Sequence, residues 1–351
     1  MTTPTDAANK AALAPVRLAQ YHGDGDAVRS SLRHAFHADA VVHLAHPFED
    51  LEGADGLHGR AYAPLRDAFP DLERRDLIVI AGQTAQGDHW VGCCGFHMGT
   101  FARPWLDIPP TGQVAGLRFH EFYRFVDGRV AEMQALWDIP ELMLQAGAWP
   151  MAPALGREWQ VPGPATQDGL ATSPADPGLT QRSLARVQQM LAGLARHAQG
   201  GVAAMELERH WHPRFNWYGP SGIGTGRGVA GFRHWHQIPF LAGMPDRRGS
   251  GGKGDFFAEG AYVAVTGWPN MRATISGDGW MGIAPAGQQI TMRSLDFWRC
   301  EGDLIRENWV LVDLLHVYRQ IGVDVLARMR EFNKAREPLR WFFSAPGDTP
   351  G

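Results

Sequence analysis

W-L-D-I-P-P-T-G-Q from Trp105 to Gln113 and W-M-G-I-A-P-A-G-Q from Trp280 to Gln288 are two versions of one segment. Each continues in step. R-F-H-E-F-Y-R begins at Arg118 and R-S-L-D-F-W-R at Arg293; V-A-E ends at Glu132 and I-R-E at Glu307; L-W-D ends at Asp138 and L-V-D at Asp313. The offset is constant at 175 residues, from Arg118 to Arg293 and from Glu121 to Asp296. That period is far too long for a solenoid, so the chain carries a duplicated domain.

Working outward, the first copy predicts two helices between Val16 and Phe36, broken at Gly23-Asp24-Gly25-Asp26, and a short strand at Ala40–Ala45. A helix follows at Tyr62–Phe69, stopped by Pro70, then strands at Leu77–Ala81, His89–His97, Gly116–Val126 and Arg129–Trp137. Asp127-Gly128 is a tight hairpin turn, and Asp138 suits the N-cap of a closing helical turn. The second copy predicts a helix at Thr180–Gln199, a strand at Phe215–Tyr218 and a helix at Val229–Phe240. Strands follow near Phe256–Ala258 and at Tyr262–Gly267, Gln289–Cys300 and Leu304–Val312, with a closing helix at Val317–Phe332. Helices first, then an antiparallel meander, is an α+β pattern. The expected organisation is domain 1 over 12–150, a Pro/Gly-rich linker over 151–178, domain 2 over 179–335 and a tail over 336–351.

The chain has 351 residues, enough for two cores. A net charge of -4 leaves no basic footprint for nucleic acid, and no Lys/Arg run suggests an anionic membrane. Three cysteines, two of them adjacent, form no disulfide framework, which points to a reducing compartment. With no span-length apolar run and no signal-type h-region at the N-terminus, the expected location is the cytoplasm. Lys10, Lys253 and Lys334 are the only lysines, and none looks like a buried Schiff-base residue.

The chain resembles the SnoaL-like polyketide cyclases of the NTF2-like superfamily. In the first copy the resemblance rests on Ala68-Phe69-Pro70-Asp71-Leu72, Gly95-Phe96-His97-Met98-Gly99, Ile108-Pro109-Pro110-Thr111-Gly112 and the hairpin from Phe122 to Arg129. A weaker form recurs at Ile283–Gly287, Phe297-Trp298-Arg299 and Glu307-Asn308-Trp309. It implies two cone-shaped domains, each a curved antiparallel sheet wrapped around N-terminal helices with a pocket inside. It also implies pairing through the outer sheet faces, here as an intrachain pseudo-dimer or as a homodimer. The implied activity is cofactor-free ring closure by an aldol step, or a related lyase or isomerase reaction, on a small molecule. The family's base falls at Ala135 and Val310, neither of which can move a proton.

Another carboxylate must then act. Residues two apart on a strand share a face. The family places a polar pocket residue on the preceding strand, where Glu121 and Asp296 stand. Both copies keep an acid there among apolar neighbours, and such burial raises a carboxyl pKa into the range useful for acid/base work. The competing reading pairs each acid with an arginine, Arg118 or Arg293 or one across the hairpin. His97 is the third catalytic candidate, as a residue on a polar pocket strand. Candidate substrate contacts are Trp90, Tyr123, Met133 and Trp137 in the first copy, and His212, Trp217, Tyr218, His236, Trp268, Trp298 and Asn308 in the second. His210-Trp211-His212 and His234-Trp235-His236 have the spacing of metal ligands on a strand, but on a helix such pairs diverge, so no metal and no cofactor is expected. Three functions remain open: acid/base catalysis on a ring-forming or ring-bearing carbonyl compound such as a polyketide or sugar derivative, non-catalytic binding of a small molecule, and metal-assisted hydrolysis or elimination.

Overall fold

The computed structural model describes residues 4–170, 172–249 and 255–334; the expected tail lies outside them. Two α+β domains follow one another. The first opens with helices Pro4–His22 and Gly25–Ala35, the second of which is capped by the Asp24 carboxylate accepting from the Asp26 and Ala27 amides. It buries Val28, Leu32 and Ala35, one stripe of the helix. Then come β1 (Phe36–Leu44), β2 (Glu49–Glu52), helical turns over 53–68, β3 (Glu73–Gln83), β4 (His89–Thr100), β5 (Val114–Val126) and β6 (Arg129–Trp137), with helix Ile139–Gln145 closing the unit. One sheet holds them all in the order β2-β1-β6-β5-β4-β3. Only β1 and β6 run parallel. Asp127 and Gly128 both take positive φ, the geometry a two-residue hairpin turn requires.

The second domain follows helix Pro177–Ala195 with β7 (Trp211–Tyr218), β8 (Thr225–Arg227) and helical turns over 228–243. After them come β9 (Arg248–Gly249), β10 (Asp255–Glu259), β11 (Tyr262–Thr266), β12 (Met271–Ile275), β13 (Gln288–Met292), β14 (Ser294–Glu301) and β15 (Leu304–Val312). Its main sheet, β10-β11-β14-β15-β7-β8, repeats the topology of the first. Two strands that are continuous in the first domain are broken in the second. The counterpart of β4 is cut into β11 and β12 around Pro269, which has no N–H to offer a ladder, and the strand expected over Gln289–Cys300 is divided at Arg293. The detached halves form a separate sheet, β13-β12-β9. The closing helix is likewise two, Leu314–Gln320 and Val325–Asn333, with Gly322 at positive φ between them.

The domains pack through the outer faces of their sheets. Phe122 meets Phe297 at 5.0 Å and Phe257 at 5.7 Å between ring centroids. Ile78, Ile80, Trp90, Leu136, Tyr218, Tyr262, Leu295, Trp309 and Leu311 complete this second core. His120 crosses the seam, its Nδ1 donating to the Leu295 carbonyl at 2.6 Å. The pseudo-two-fold is visible in single bonds. Asp138 accepts from Arg118 and from the Ser221 amide; Asp313, at the equivalent position, accepts from Arg293 and from the His46 amide. Only Asp313 also caps its own helix, accepting from the His316 amide. Residues 151–170 lie across the seam as an extended strap. Gly169 accepts from Val79, Pro162 accepts from the Trp309 indole and Asp168 is bonded by Tyr262. No helix among the described residues is long and apolar enough to cross a membrane.

Gly92 marks a close approach of the sheets. A Cβ built there would stand 3.0 Å from the Phe257 ring and 3.1 Å from that of Phe297. Gly92→Leu is therefore expected to destabilise the protein by about 1–3 kcal/mol. Chemical denaturation would detect this, and an unchanged midpoint would contradict the packing.

Candidate active site

Each cone interior is built by the face of the sheet that looks away from the seam. In the first domain, β5 and β6 set Glu121 opposite Ala135 and Tyr123 opposite Met133, while β4 sets His97 beside Arg74 of β3. Glu121, His97, Tyr123, Met133 and Trp137 thus come together as the sequence suggests. Their chemistry differs from the expectation. Arg74 Nη1 donates to Glu121 Oε2 at 2.6 Å, the Tyr123 hydroxyl donates to the same oxygen at 2.6 Å, and Trp137 Nε1 donates to Oε1 at 3.0 Å. The guanidinium also bonds Gln20 and Asp76 and lies over the Phe119 ring. Burial alone would raise the Glu121 pKa. Arg74 and the hydrogen bonds outweigh it and hold the carboxyl far below its ordinary range. The raised pKa expected for Glu121 is thus corrected by a cation that the sequence reading did not place: its arginine is Arg74, not Arg118 or Arg293. His97 Nε2 stands 3.7 Å from Glu121, and burial lowers the imidazole pKa. Arg74, His97 and Glu121 are each at most 2 % exposed, so solvent does not reach this group.

The second interior keeps the positions and changes the residues. The 175-residue offset and the strand register replace Tyr123 by Trp298, Met133 by Asn308, Trp137 by Val312, Phe119 by Ser294, His97 by Met271 and Arg74 by Gly249. Asp296 sits opposite Val310 and Val265, beside the break between β13 and β14. Among the described residues its one hydrogen bond is from the Ser294 hydroxyl, at 2.6 Å, and no cation lies within ion-pair range. Crowding by apolar neighbours pushes its pKa up to about 7, opposed only by Ser294. The residue nonetheless retains part of its exposed surface.

Trp217 and His236 stack at 4.0 Å and 15° in this interior, with Phe232 and Phe240 against them. Trp217 is linked through Asn308 to Trp298, which lies two residues along the strand from Asp296. Burial takes the His236 pKa down to about 3, so the ring is neutral. The His236 Nδ1, Gln237 Oε1 and Trp298 Nε1 atoms are buried without a protein partner. Asn308 turns its amide nitrogen to the Phe297 carbonyl.

Four expected substrate contacts lie elsewhere. Trp90 and Tyr218 point into the seam, because strand parity puts them on the outer face. Trp268 is also at the seam, stacked on His43 and under Arg293. His212 points outward and accepts from the Arg214 amide. A surface cleft of about 310 Å³ is lined by Arg182, Ser183, Arg186 and Cys300, beyond Trp298 along β14; burial raises the Cys300 thiol to about 11, which makes it a poor nucleophile. Among the described residues, no three His, Cys, Asp or Glu side chains converge as a metal site would require.

The model of the SnoaL-like polyketide cyclase family matches residues 24–146 and 189–321, and the chain belongs to that family. A proposed SnoaL-like polyketide cyclase from Jannaschia sp. CCS1 is 23% identical, with a TM-score of 0.34 over 40% of this chain and 92% of its own. IdmH of Streptomyces antibioticus, a proposed polyketide cyclase, is 22% identical, with a TM-score of 0.34 over 40% of this chain and 98% of its own. AclR of Streptomyces galilaeus, a proposed hydroxylase, is 22% identical, with a TM-score of 0.35 over 42% of this chain and 86% of its own. No curated protein matches the sequence.

Glu121→Gln removes one of the two carboxylates on the buried Arg74, which keeps Asp76, and a loss of about 1–3 kcal/mol is expected in urea unfolding. Asp296 should behave oppositely. Its carboxyl titrates near 4 when unfolded and near 7 when folded, so its ionisation costs stability progressively as pH rises between those values. Asp296→Asn removes that cost. The variant should match the wild type near pH 4 and exceed it at pH 8, with a ceiling of about 4 kcal/mol. Melting curves across this range provide the check, and a variant less stable at pH 8 would refute the assignment.

Proposed function

We propose that the protein is a cofactor-independent acid/base enzyme of the cyclase type, and that the second domain carries the chemistry. The supporting observation is Asp296: among the described residues a carboxyl with no cation, its pKa pushed up to about 7, on a residue that is not fully buried. Such a group is half ionised near neutral pH, so it can accept a proton and return it within one turnover. The reaction class is removal of an acidic proton next to a carbonyl, followed by aldol-type ring closure, isomerisation or elimination. The indole N–H of Trp298 and the neutral imidazole of His236 are donors available to a developing enolate oxygen. Trp217, stacked with His236, supplies a flat wall for a ring. On this reading the first domain is the structural partner, its own acid neutralised by Arg74.

A second reading, a binding module without chemistry, is favoured by the absence of the family's base at Ala135 and Val310. Solvent exchange separates the two. With a cyclic β-diketone or β-keto ester as probe, the wild type should speed deuterium incorporation at the α-carbon, with a rate that rises through about pH 7 as Asp296 ionises. Asp296→Asn should slow the catalysed rate by about 10²-fold or more, whereas Glu121→Asp should leave its pH profile in place. A wild-type rate equal to that of the buffer removes the enzymatic reading.

A further inference from the structure

Arg247 follows the helical turns over 228–243 and is half-buried, its guanidinium 5.8 Å from the centre of the Phe240 ring. Among the described residues its side chain has neither a carboxylate nor a hydrogen-bond partner, whereas Arg293 and Arg299 of the same domain each hold two carboxylates. Its counterpart in the first domain is Leu72, a core residue 2% exposed. The equivalence is secured by the preceding residue. Asp71 accepts from the amide and hydroxyl of Thr100, and Asp246 does the same with Thr274. The second copy has therefore put a cation where the sealed copy has a core leucine.

A half-buried guanidinium without an anion is costly, and in a folded protein it is normally paired. Burial lowers the Arg247 pKa, and its charge helps to keep His236 neutral. From Phe240 the aromatic lining runs to Trp280 at 5.8 Å and to His236 at 5.3 Å, and from His236 to Trp217. Gln237 stands at the position of Tyr62, which packs against His97 inside the first cone, and among the described residues its Oε1, like the Tyr62 hydroxyl, is buried without a partner. Cation, flat apolar wall and orphan polar atoms thus belong to one lining, and the missing member is an anion.

We infer that the substrate of the second cone is a flat, ring-bearing carboxylate. Arg247 binds its carboxylate and the ring lies along Phe240, His236 and Trp217. The reacting carbonyl is presented toward Asp296. This inference rests on the placement of the site given above, but it concerns recognition rather than proton transfer, and the two can fail separately.

Calorimetric titration with 2-naphthoate and with 2-naphthamide, equal in shape and different in charge, tests it. The wild type should bind the carboxylate at least tenfold more tightly, the worth of a charge-assisted pair. Arg247→Gln should erase the difference, and Arg247→Lys should restore part of it. Arg247→Leu, which installs the first copy's residue, should erase it while raising the melting temperature, so loss of binding cannot be blamed on loss of fold. Asp296→Asn should keep the preference. Equal affinities in the wild type, a preference that survives Arg247→Gln, or binding of neither compound overturns the inference. An Arg247-dependent preference in a protein that exchanges no deuterium leaves recognition standing and removes the catalytic reading instead.

Discussion

The seam between the two sheets is the constraint on which the rest depends. Each sheet is apolar on both faces, so neither domain can leave its outer face in water without exposing Phe122, Trp90, Phe297 or Trp309. Packing the faces together buries them and fixes the pseudo-two-fold, which Arg118–Asp138 and Arg293–Asp313 then pin at the two ends. Those residues are tied to a partner in the other domain, so a change in one copy is felt by both. They are among the residues that are the same at the 175-residue offset. The charged and hydrogen-bonding residues of the cone interiors, Arg74 and His97 against Gly249 and Met271, are where the copies differ.

The difference follows from one pair of positions. Where β3 supplies Arg74, a carboxylate on β5 can stay ionised in a dry interior, and Tyr123 and Trp137 complete its shell. That arrangement needs every member, because an unpaired charge at this depth costs more than the pair contributes. Where β9 supplies Gly249 instead, the same compensation is not available. Asp296 meets Ser294, valines and a break in the sheet, and the proton becomes its counter-charge. One scaffold thus holds two carboxylates whose environments push their pKa values in opposite directions.

Much of the architecture was legible in the sequence because it rests on local pattern. The hairpin at Asp127-Gly128 and the helix break at Asp24 both have short-range causes. Strand parity likewise put Glu121, Asp296, Trp137, Trp298 and Asn308 on inner faces. Parity was not applied to Trp90 and Tyr218, and both lie on the outer side. Arg74 was hidden for a different reason. Glu73-Arg74-Arg75-Asp76 is four charges in a row ahead of the strand expected at Leu77–Ala81, and Arg75 and Glu73 bond one another outside while Arg74 points in against His97. The division at Arg293 was equally invisible, since the ladder across it depends on where β12 goes. Residues 151–178 read as a linker by composition, and the stretch over 151–170 is a strap because its carbonyls and Val161 find partners at the seam.

On the proposed function, reactivity is carried by what the second interior lacks. A sealed cone such as the first satisfies its buried charge and gains stability from doing so, but a satisfied carboxylate has no reason to take a proton. Unpartnered buried polar atoms occur in both cones, Tyr62 and His97 in the first and Trp298 and Gln237 in the second, but among the described residues only the second leaves its carboxylate, Asp296, without a cation and an arginine, Arg247, without an anion. Each deficit of the second cone destabilises the empty fold by a small amount, and all of them lie along the same lining. Opposite charges that could cancel are instead kept apart, Arg247 ahead of β9 and Asp296 on β14. A bound ligand is the one partner that meets these deficits together, without the two residues neutralising each other. The first domain, pressed against the second over a whole sheet face, provides the rigidity that lets those deficits persist.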